Sequence, residues 1–174
     1  RGASVGQRSR PAALAARGVS VVFVGTAGGI EAREVPAAGY PLRILPGRQL
    51  RGGGIGRAAA GLATVCGGVV RGLGVLRALR PALVVGVGGY ASVAVVVAAW
   101  LRRVPRLLLE QNVLPGAANR VLGRIADRVC VGFVESVGAF PPGRAVHTGY
   151  PIRAGVLAAA RAGGPHPRPG LLVF

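Results

Sequence analysis

Twenty consecutive residues without a charged side chain, ALVVGVGGYASVAVVVAAWL at 82–101, constrain this chain more than any other feature. An uncharged run of that length can cross a bilayer as a single helix, so the chain must either span a membrane there or bury the run in a protein core. Gly86, Gly88 and Gly89 divide it into a short β-branched piece and an apolar piece of about three helical turns, the pattern of a strand and helix in a buried parallel sheet. Arginines flank both ends, at Arg80 and at Arg102 and Arg103, so a positive-inside bias gives no orientation. The strand–helix reading is the expectation; an integral membrane protein spanning 82–101 is the alternative.

The same rhythm runs along the rest of the chain. VSVVFVG (19–25) predicts a strand after a helical PAALAARG, whose Gly18 suits a C-cap. In IEAREVPAAGY one helical turn is expected, stopped at Pro36, and PLRILP (41–46) reads as a short strand. From Ile55 to Leu79 the apolar residues recur at three and four, which predicts a helix even though the six glycines at 56, 61, 67, 68, 72 and 74 each cost about 1 kcal/mol relative to alanine in an interior position. RLLLEQN (106–112) then reads as a strand, PGAANRVLGRIA (115–126) as a helix, DRVCVGF (127–133) and AVHTGYP (145–151) as strands, and IRAGVLAAARA (152–162) as a helix. This alternation predicts an α/β fold, a Rossmann-like doubly wound parallel sheet. It occupies a domain of residues 1–162, followed by a linker at 163–170, GGPHPRPG, and the first strand of a second lobe at 171–174, LLVF. The chain opens at Arg1 with neither methionine nor a signal-peptide pattern, from which a cytoplasmic protein with its start further upstream is expected.

Charge narrows the partners. The chain carries 22 basic residues, all arginine, against five acidic ones, for a formal charge of +17. Absence of lysine and methionine beside 30 glycines suggests GC-rich coding, an origin for the arginines that competes with any functional one. Whatever their origin, they draw phosphates. The aromatic residues, one Trp, three Tyr and four Phe, are not interleaved with the basic ones, and no nucleic-acid motif appears, so nucleic acid is not an expected partner. Cys66 and Cys130 show no metal or redox spacing and read as buried free thiols; His147 and His166 have no acid or serine at a recognisable spacing. No cofactor and no metal are expected.

In open parallel sheets ligands gather at the carboxyl ends of strands, where backbone N–H groups and helix N-termini hold anions. Three turns fall there. GVGGYAS (86–92) offers glycines for close approach of a diphosphate and a hydroxyl at Ser92, although tight strand-to-helix packing accounts for the glycines equally well. Glu110, Gln111 and Asn112 directly follow a buried strand, where polar groups must be either ligand-binding or paired within a turn. In TGYPIR (148–153), Arg153 lies in the first turn of a helix, against the macrodipole, a placement that a nearby anion offsets.

Taken together and in order, VGTAGGIEAREVPAAGYPL, VVGVGGYAS, LEQNVLPGAANRVLGRIADRV and TGYPIR closely resemble glycosyltransferase family 28, specifically the UDP-N-acetylglucosamine–N-acetylmuramyl-(pentapeptide) pyrophosphoryl-undecaprenol N-acetylglucosamine transferases. The resemblance covers Pro11 to Phe174. It implies the N-terminal acceptor lobe of a GT-B fold plus the start of a second lobe. It also implies an inverting transfer of N-acetylglucosamine from its UDP donor to the muramyl C4 hydroxyl of the undecaprenyl-linked acceptor, lipid I, giving lipid II of peptidoglycan biosynthesis.

By the same resemblance, Gly88, Gly89, Tyr90 and Ser92 hold the acceptor diphosphate, Glu110 and Gln111 lie on the acceptor side or shape the cleft, and Asn112 and Arg153 contact the UDP sugar. Leu109 and Tyr150 stand where the family has histidine and asparagine. The family's opening GGTGGH turn, with its candidate general base, and its GGSQGA donor turn have no counterpart here, which implies that this stretch alone is inactive or nearly so. The family works peripherally at the cytoplasmic face of the membrane. An interfacial helix meeting anionic lipid through Ile55, Leu62, Val65, Val69, Leu73 and Leu76, beside Arg57, Arg71, Arg77 and Arg80, is one reading of 55–80, and core packing of the same apolar side is the other. A non-catalytic module that binds anionic or diphosphate lipid is the alternative to the enzyme.

Overall fold

The structure, a computed structural model, describes Leu14 and residues 17–45 and 55–149, with the side chains of 55–63 outside the described set. The helix expected at 152–162, Arg153, the linker at 163–170 and the strand at 171–174 therefore lie outside the described residues. Residues Val22–Tyr150 form one compact unit. Before it, Gly18 adopts φ +74° and the Val19 N–H reaches back to the Leu14 carbonyl at 3.0 Å, the helix-ending turn expected of a C-cap glycine.

Among its described residues, six strands and four α-helices alternate through the unit. Strand β1 (Phe23–Thr26) leads into helix α1 (Glu31–Ala37), β2 (Leu42–Leu45) and the long α2 (Ile55–Leu79). The uncharged run then forms β3 (Val84–Gly86) and α3 (Gly89–Leu101), followed by β4 (Arg106–Glu110), α4 (Ala117–Leu122), β5 (Arg128–Val131), a 3-10 turn at Val134–Ala139 and β6 (Ala145–His147). All the strand pairs are parallel: β1 with β2, and β3, β4, β5 and β6 in that order, with Gly86 beside Leu108 and Glu110 beside Val131. The α/β class and the parallel doubly wound pattern match the sequence reading. The spanning alternative fails: 84–86 hydrogen-bond into a sheet, and no helix among the described residues is long and apolar enough to cross a membrane.

The buried side of the sheet rests on α3. Ala94, Val95, Val96, Ala98 and Ala99 of that helix pack with Val84, Leu108, Val129 and Val131 of the strands and with Leu76 of α2. Two glycines of α2, Gly68 and Gly72, are explained here. A methyl group on Gly72 would stand 3.2 Å from the Ala94 carbonyl and from the Ala98 methyl, and one on Gly68 would meet the Tyr90 hydroxyl at 2.5 Å. Close helix approach, rather than helix breaking, is what those positions provide, and the helix continues through them.

Several expectations need correction. Proposed as membrane-facing, Leu76 is buried, and Val69 and Leu73 pack against the core; the apolar side of α2 is the side that meets α3, so the core-packing reading wins there. Val65 is half-buried, and the side chains of Ile55 and Leu62 are outside the described set. Pro36 does not stop α1 after one turn but sits inside it, one residue before its end, where only the Ala32 carbonyl loses a partner. The strand expected at 19–25 begins only at Phe23, and helix α4 is half the length predicted. The Val134–Ala139 turn carried no periodic signal.

Candidate functional site

Adjacent parallel strands β3 and β4 end side by side, so the turns that follow them are neighbours, and both contain residues singled out from the sequence. After β3 the chain passes through Gly88 at φ +96° and Gly89 at φ +80°, conformations a side chain resists. These two glycines start α3, a 13-residue helix with no side chain capping its N-terminus. The first N–H groups of a helix lack intrahelical partners, so those of α3 stand at this end of the strands with the positive end of the dipole behind them. Ser92 stiffens the turn by accepting the Val87 N–H at 3.1 Å, which leaves its own hydroxyl hydrogen to donate. Tyr90 is committed elsewhere: its hydroxyl donates to the Thr64 carbonyl of α2 at 2.6 Å.

The turn after β4 is organised by a carboxylate. Glu110 is 3% exposed. Its Oε1 accepts the backbone N–H groups of Gln111 and Asn112 and the side-chain amide of Asn112, all at 2.9 Å; its Oε2 accepts the Gly116 N–H at 3.1 Å and Asn119 Nδ2 at 3.0 Å. Burial pushes this carboxyl upward, and the hydrogen bonds from Asn112, Asn119 and Gly116 outweigh that and hold it below the ordinary glutamate value. Ser136, fully buried in the 3-10 turn, braces the loop from beneath by donating to the Asn112 and Val113 carbonyls at 2.9 Å. What emerges is a rigid loop that turns Glu110 inward and carries Gln111 and Asn112 on its exposed outer side.

Asn119 links the two turns. Its Nδ2 donates to Glu110 and to the Leu109 carbonyl at 3.2 Å, and the same nitrogen lies 3.9 Å from where a Cβ of Gly88 would be. Its Oδ1 is buried without a hydrogen-bond partner among the described residues. Sequence reading missed Asn119, a single polar residue inside an amphipathic helix pattern, and Ser136, which lies in a stretch with no periodic signal. Glu31 was missed as well; it accepts the Thr26 N–H at 2.9 Å and hydroxyl at 3.2 Å, and these bonds, the backbone one foremost, lower its pKa against the opposing effect of burial. Gly25 and Gly29 leave room for the Glu31 side chain, a fit visible only in the structure.

Of the residues expected at the site, the structure thus brings Gly88, Gly89, Ser92, Glu110, Gln111 and Asn112 to neighbouring turns and directs the Tyr90 hydroxyl to α2, while Arg153 lies outside the described residues. The arrangement suits an anion held by backbone N–H groups beside a braced polar loop.

Known proteins share this sequence and shape. The model of the glycosyltransferase family 28 N-terminal domain matches residues 11–131. A UDP-N-acetylglucosamine–N-acetylmuramyl-(pentapeptide) pyrophosphoryl-undecaprenol N-acetylglucosamine transferase of Anaeromyxobacter sp. (strain Fw109-5) is 43% identical over 158 residues, 90% of this chain and 42% of the relative. The enzyme of the same name from Pelobacter propionicus is 45% identical over 138 residues, 79% of this chain and 36% of that one. Among solved structures, Acinetobacter baumannii MurG superposes with a TM-score of 0.62 at 27% identity, covering 82% of this chain and 40% of its own. The chain therefore spans about 40% of the length of such relatives.

Proposed function

The chain belongs to glycosyltransferase family 28, whose N-terminal domain model it matches over residues 11–131, and on that premise we propose that it forms the acceptor lobe of an inverting N-acetylglucosaminyltransferase. The acceptor is lipid I, an undecaprenyl-diphosphate-linked N-acetylmuramyl pentapeptide, and the donor is UDP-N-acetylglucosamine. In the reaction the muramyl C4 oxygen bonds to C1 of the donor sugar, the C1–oxygen bond to UDP breaks, and the hydroxyl proton leaves to a base. Gly88, Gly89 and Ser92 hold the lipid diphosphate, with Tyr90 anchoring the turn to α2. Glu110 shapes the neighbouring loop, Gln111 borders the acceptor, and Asn112 and Arg153 meet the donor. The enzyme works peripherally at the cytoplasmic face of the membrane, drawn to anionic lipid by the +17 charge.

The observation that carries this reading is the uncapped N-terminus of α3 behind two positive-φ glycines, directly beside the Glu110-braced loop. Calorimetric titration with farnesyl diphosphate, a short polyprenyl diphosphate, tests it. Gly88→Ala forces a Cβ into a positive-φ, extended-ψ conformation that essentially only glycine adopts, at a cost of about 1–3 kcal/mol, and is expected to weaken binding about tenfold; farnesyl monophosphate should bind more weakly than the diphosphate. Equal affinity of wild type and variant would remove this turn as the diphosphate site. Transfer of labelled sugar from the UDP donor to lipid I by the longer polypeptide separates the enzyme from a binding module without activity.

A further inference from the structure

Asn119 uses only half of its amide. The residue comes from α4 and is 4% exposed. Its Nδ2 is committed, donating to Glu110 Oε2 at 3.0 Å and to the Leu109 carbonyl at 3.2 Å. Those two bonds also fix the sense of the amide, because with its ends exchanged an oxygen would face two acceptors. Oδ1 is thereby left as a buried acceptor with no partner among the described residues. A buried acceptor left unpaired is a standing cost. The brace on Glu110 accounts for Nδ2 and gives no use for Oδ1.

The amide stands at the glycine turn. Nδ2 is 3.9 Å from the position a Cβ of Gly88 would take, and it is the nearest atom to that position outside the turn's own residues. Because Gly88 has no side chain, space remains between the turn and the amide. The same turn begins α3, 13 residues long and without a side-chain cap, whose first N–H groups attract an anion. Two unlike demands therefore meet here: backbone donors that want an anion, and one acceptor that wants a donor. A bare phosphate meets the first and is repelled by the second. Water meets only the second. A ligand that meets both carries an N–H or O–H within a few bonds of its phosphate.

The acceptor in the reading above has that chemistry. Its sugar is joined to the diphosphate at C1, and the neighbouring carbon, C2, carries an acetamido group, whose N–H is the donor nearest the diphosphate along the covalent frame. We propose that Asn119 Oδ1 accepts this N–H, so that the residue selects a 2-acetamido sugar on the diphosphate while its Nδ2 holds the Glu110 loop. With hydrogen alone at C2 the oxygen stays unpaired. The inference rests on the diphosphate-binding reading of the α3 turn and adds which sugar that turn accepts beside the diphosphate.

Three ligands are titrated calorimetrically into the chain and into Asn119→Ala, after thermal transitions confirm folding: farnesyl diphosphate, farnesyl diphosphate joined to N-acetylmuramic acid, and the same compound with hydrogen in place of the acetamido group. Loss of the brace on Glu110 weakens all three alike in the variant, so the quantity read is the ratio between the last two. Wild type is expected to prefer the acetamido compound about tenfold, and Asn119→Ala less than about twofold. A preference that survives in the variant would assign Asn119 to bracing alone and overturn the proposal. Wild type that binds farnesyl diphosphate but does not distinguish the two sugars would also overturn it, while leaving the diphosphate site standing. Binding of none of the three by wild type would remove the diphosphate site and this inference with it. Where Asn119→Ala fails to fold, the side-chain amide resonance of Asn119 in nitrogen-labelled wild type decides: it is expected to shift with the acetamido compound and not with its deoxy counterpart, and equal shifts with both would overturn the proposal.

Discussion

Glu110 draws five hydrogen bonds onto one buried carboxylate, which makes its charge part of the loop's geometry. In Glu110→Gln the new amide nitrogen faces the Gly116 N–H and Asn119 Nδ2, donor against donor. The expected cost is about 2 kcal/mol at neutral pH, read by urea unfolding. The sign with pH follows from the lowered pKa. A carboxyl whose folded value lies below its unfolded value, about 4.3, stabilises fully above that value and loses its contribution as pH falls through the folded one. The gap between wild type and Glu110→Gln should therefore shrink on acidification below about pH 4; a constant gap would mean that charge is irrelevant. The sequence placed Glu110, Gln111 and Asn112 together after a strand but left two readings open, ligand contact or internal pairing. For Glu110 the pairing is visible; for Asn112, tied through Nδ2, the amide oxygen is left for a partner outside the loop.

At the scale of elements, the glycines of α2 divide into two kinds that sequence does not separate. Gly72 faces α3, where an added methyl group would press on the Ala94 carbonyl and the Ala98 methyl, whereas nothing lies within 4 Å of a methyl on Gly74. Overpacking predicts that Gly72→Ala loses about 1–3 kcal/mol. Helix propensity predicts that Gly74→Ala gains up to about 1 kcal/mol. Thermal or denaturant unfolding of the pair checks both, and similar effects from the two would contradict the close α2–α3 contact. The apolar periodicity of 55–79 located this helix to the residue, yet the same periodicity suits a membrane surface and a protein core alike, because both present hydrocarbon to one side of a helix. Only the position of α3 shows which one Leu76 meets.

For the whole molecule, the uncharged run at 82–101 contributes a strand and a helix to a core rather than a span, and the peripheral attachment to a bilayer proposed above would be electrostatic and interfacial. Raising salt from about 0.1 to 1 M shortens the screening length from about 10 to 3 Å, and the chain should then leave anionic vesicles; retention at high salt would contradict surface attachment. The sequence by itself determined the α/β alternation, the long second helix and the split of the apolar run, because strand and helix periodicities and glycine turns are local properties written in consecutive residues. It also placed the glycine turn and the Glu110 loop at the ends of strands. Tertiary structure alone decided that those two turns lie side by side, that Asn119 and Ser136 brace them, that the Tyr90 hydroxyl turns to α2, and that four arginines scattered over residues 106–144 share one pocket. Each of these depends on strand order and register, which bring together residues far apart in the chain and which no local pattern encodes.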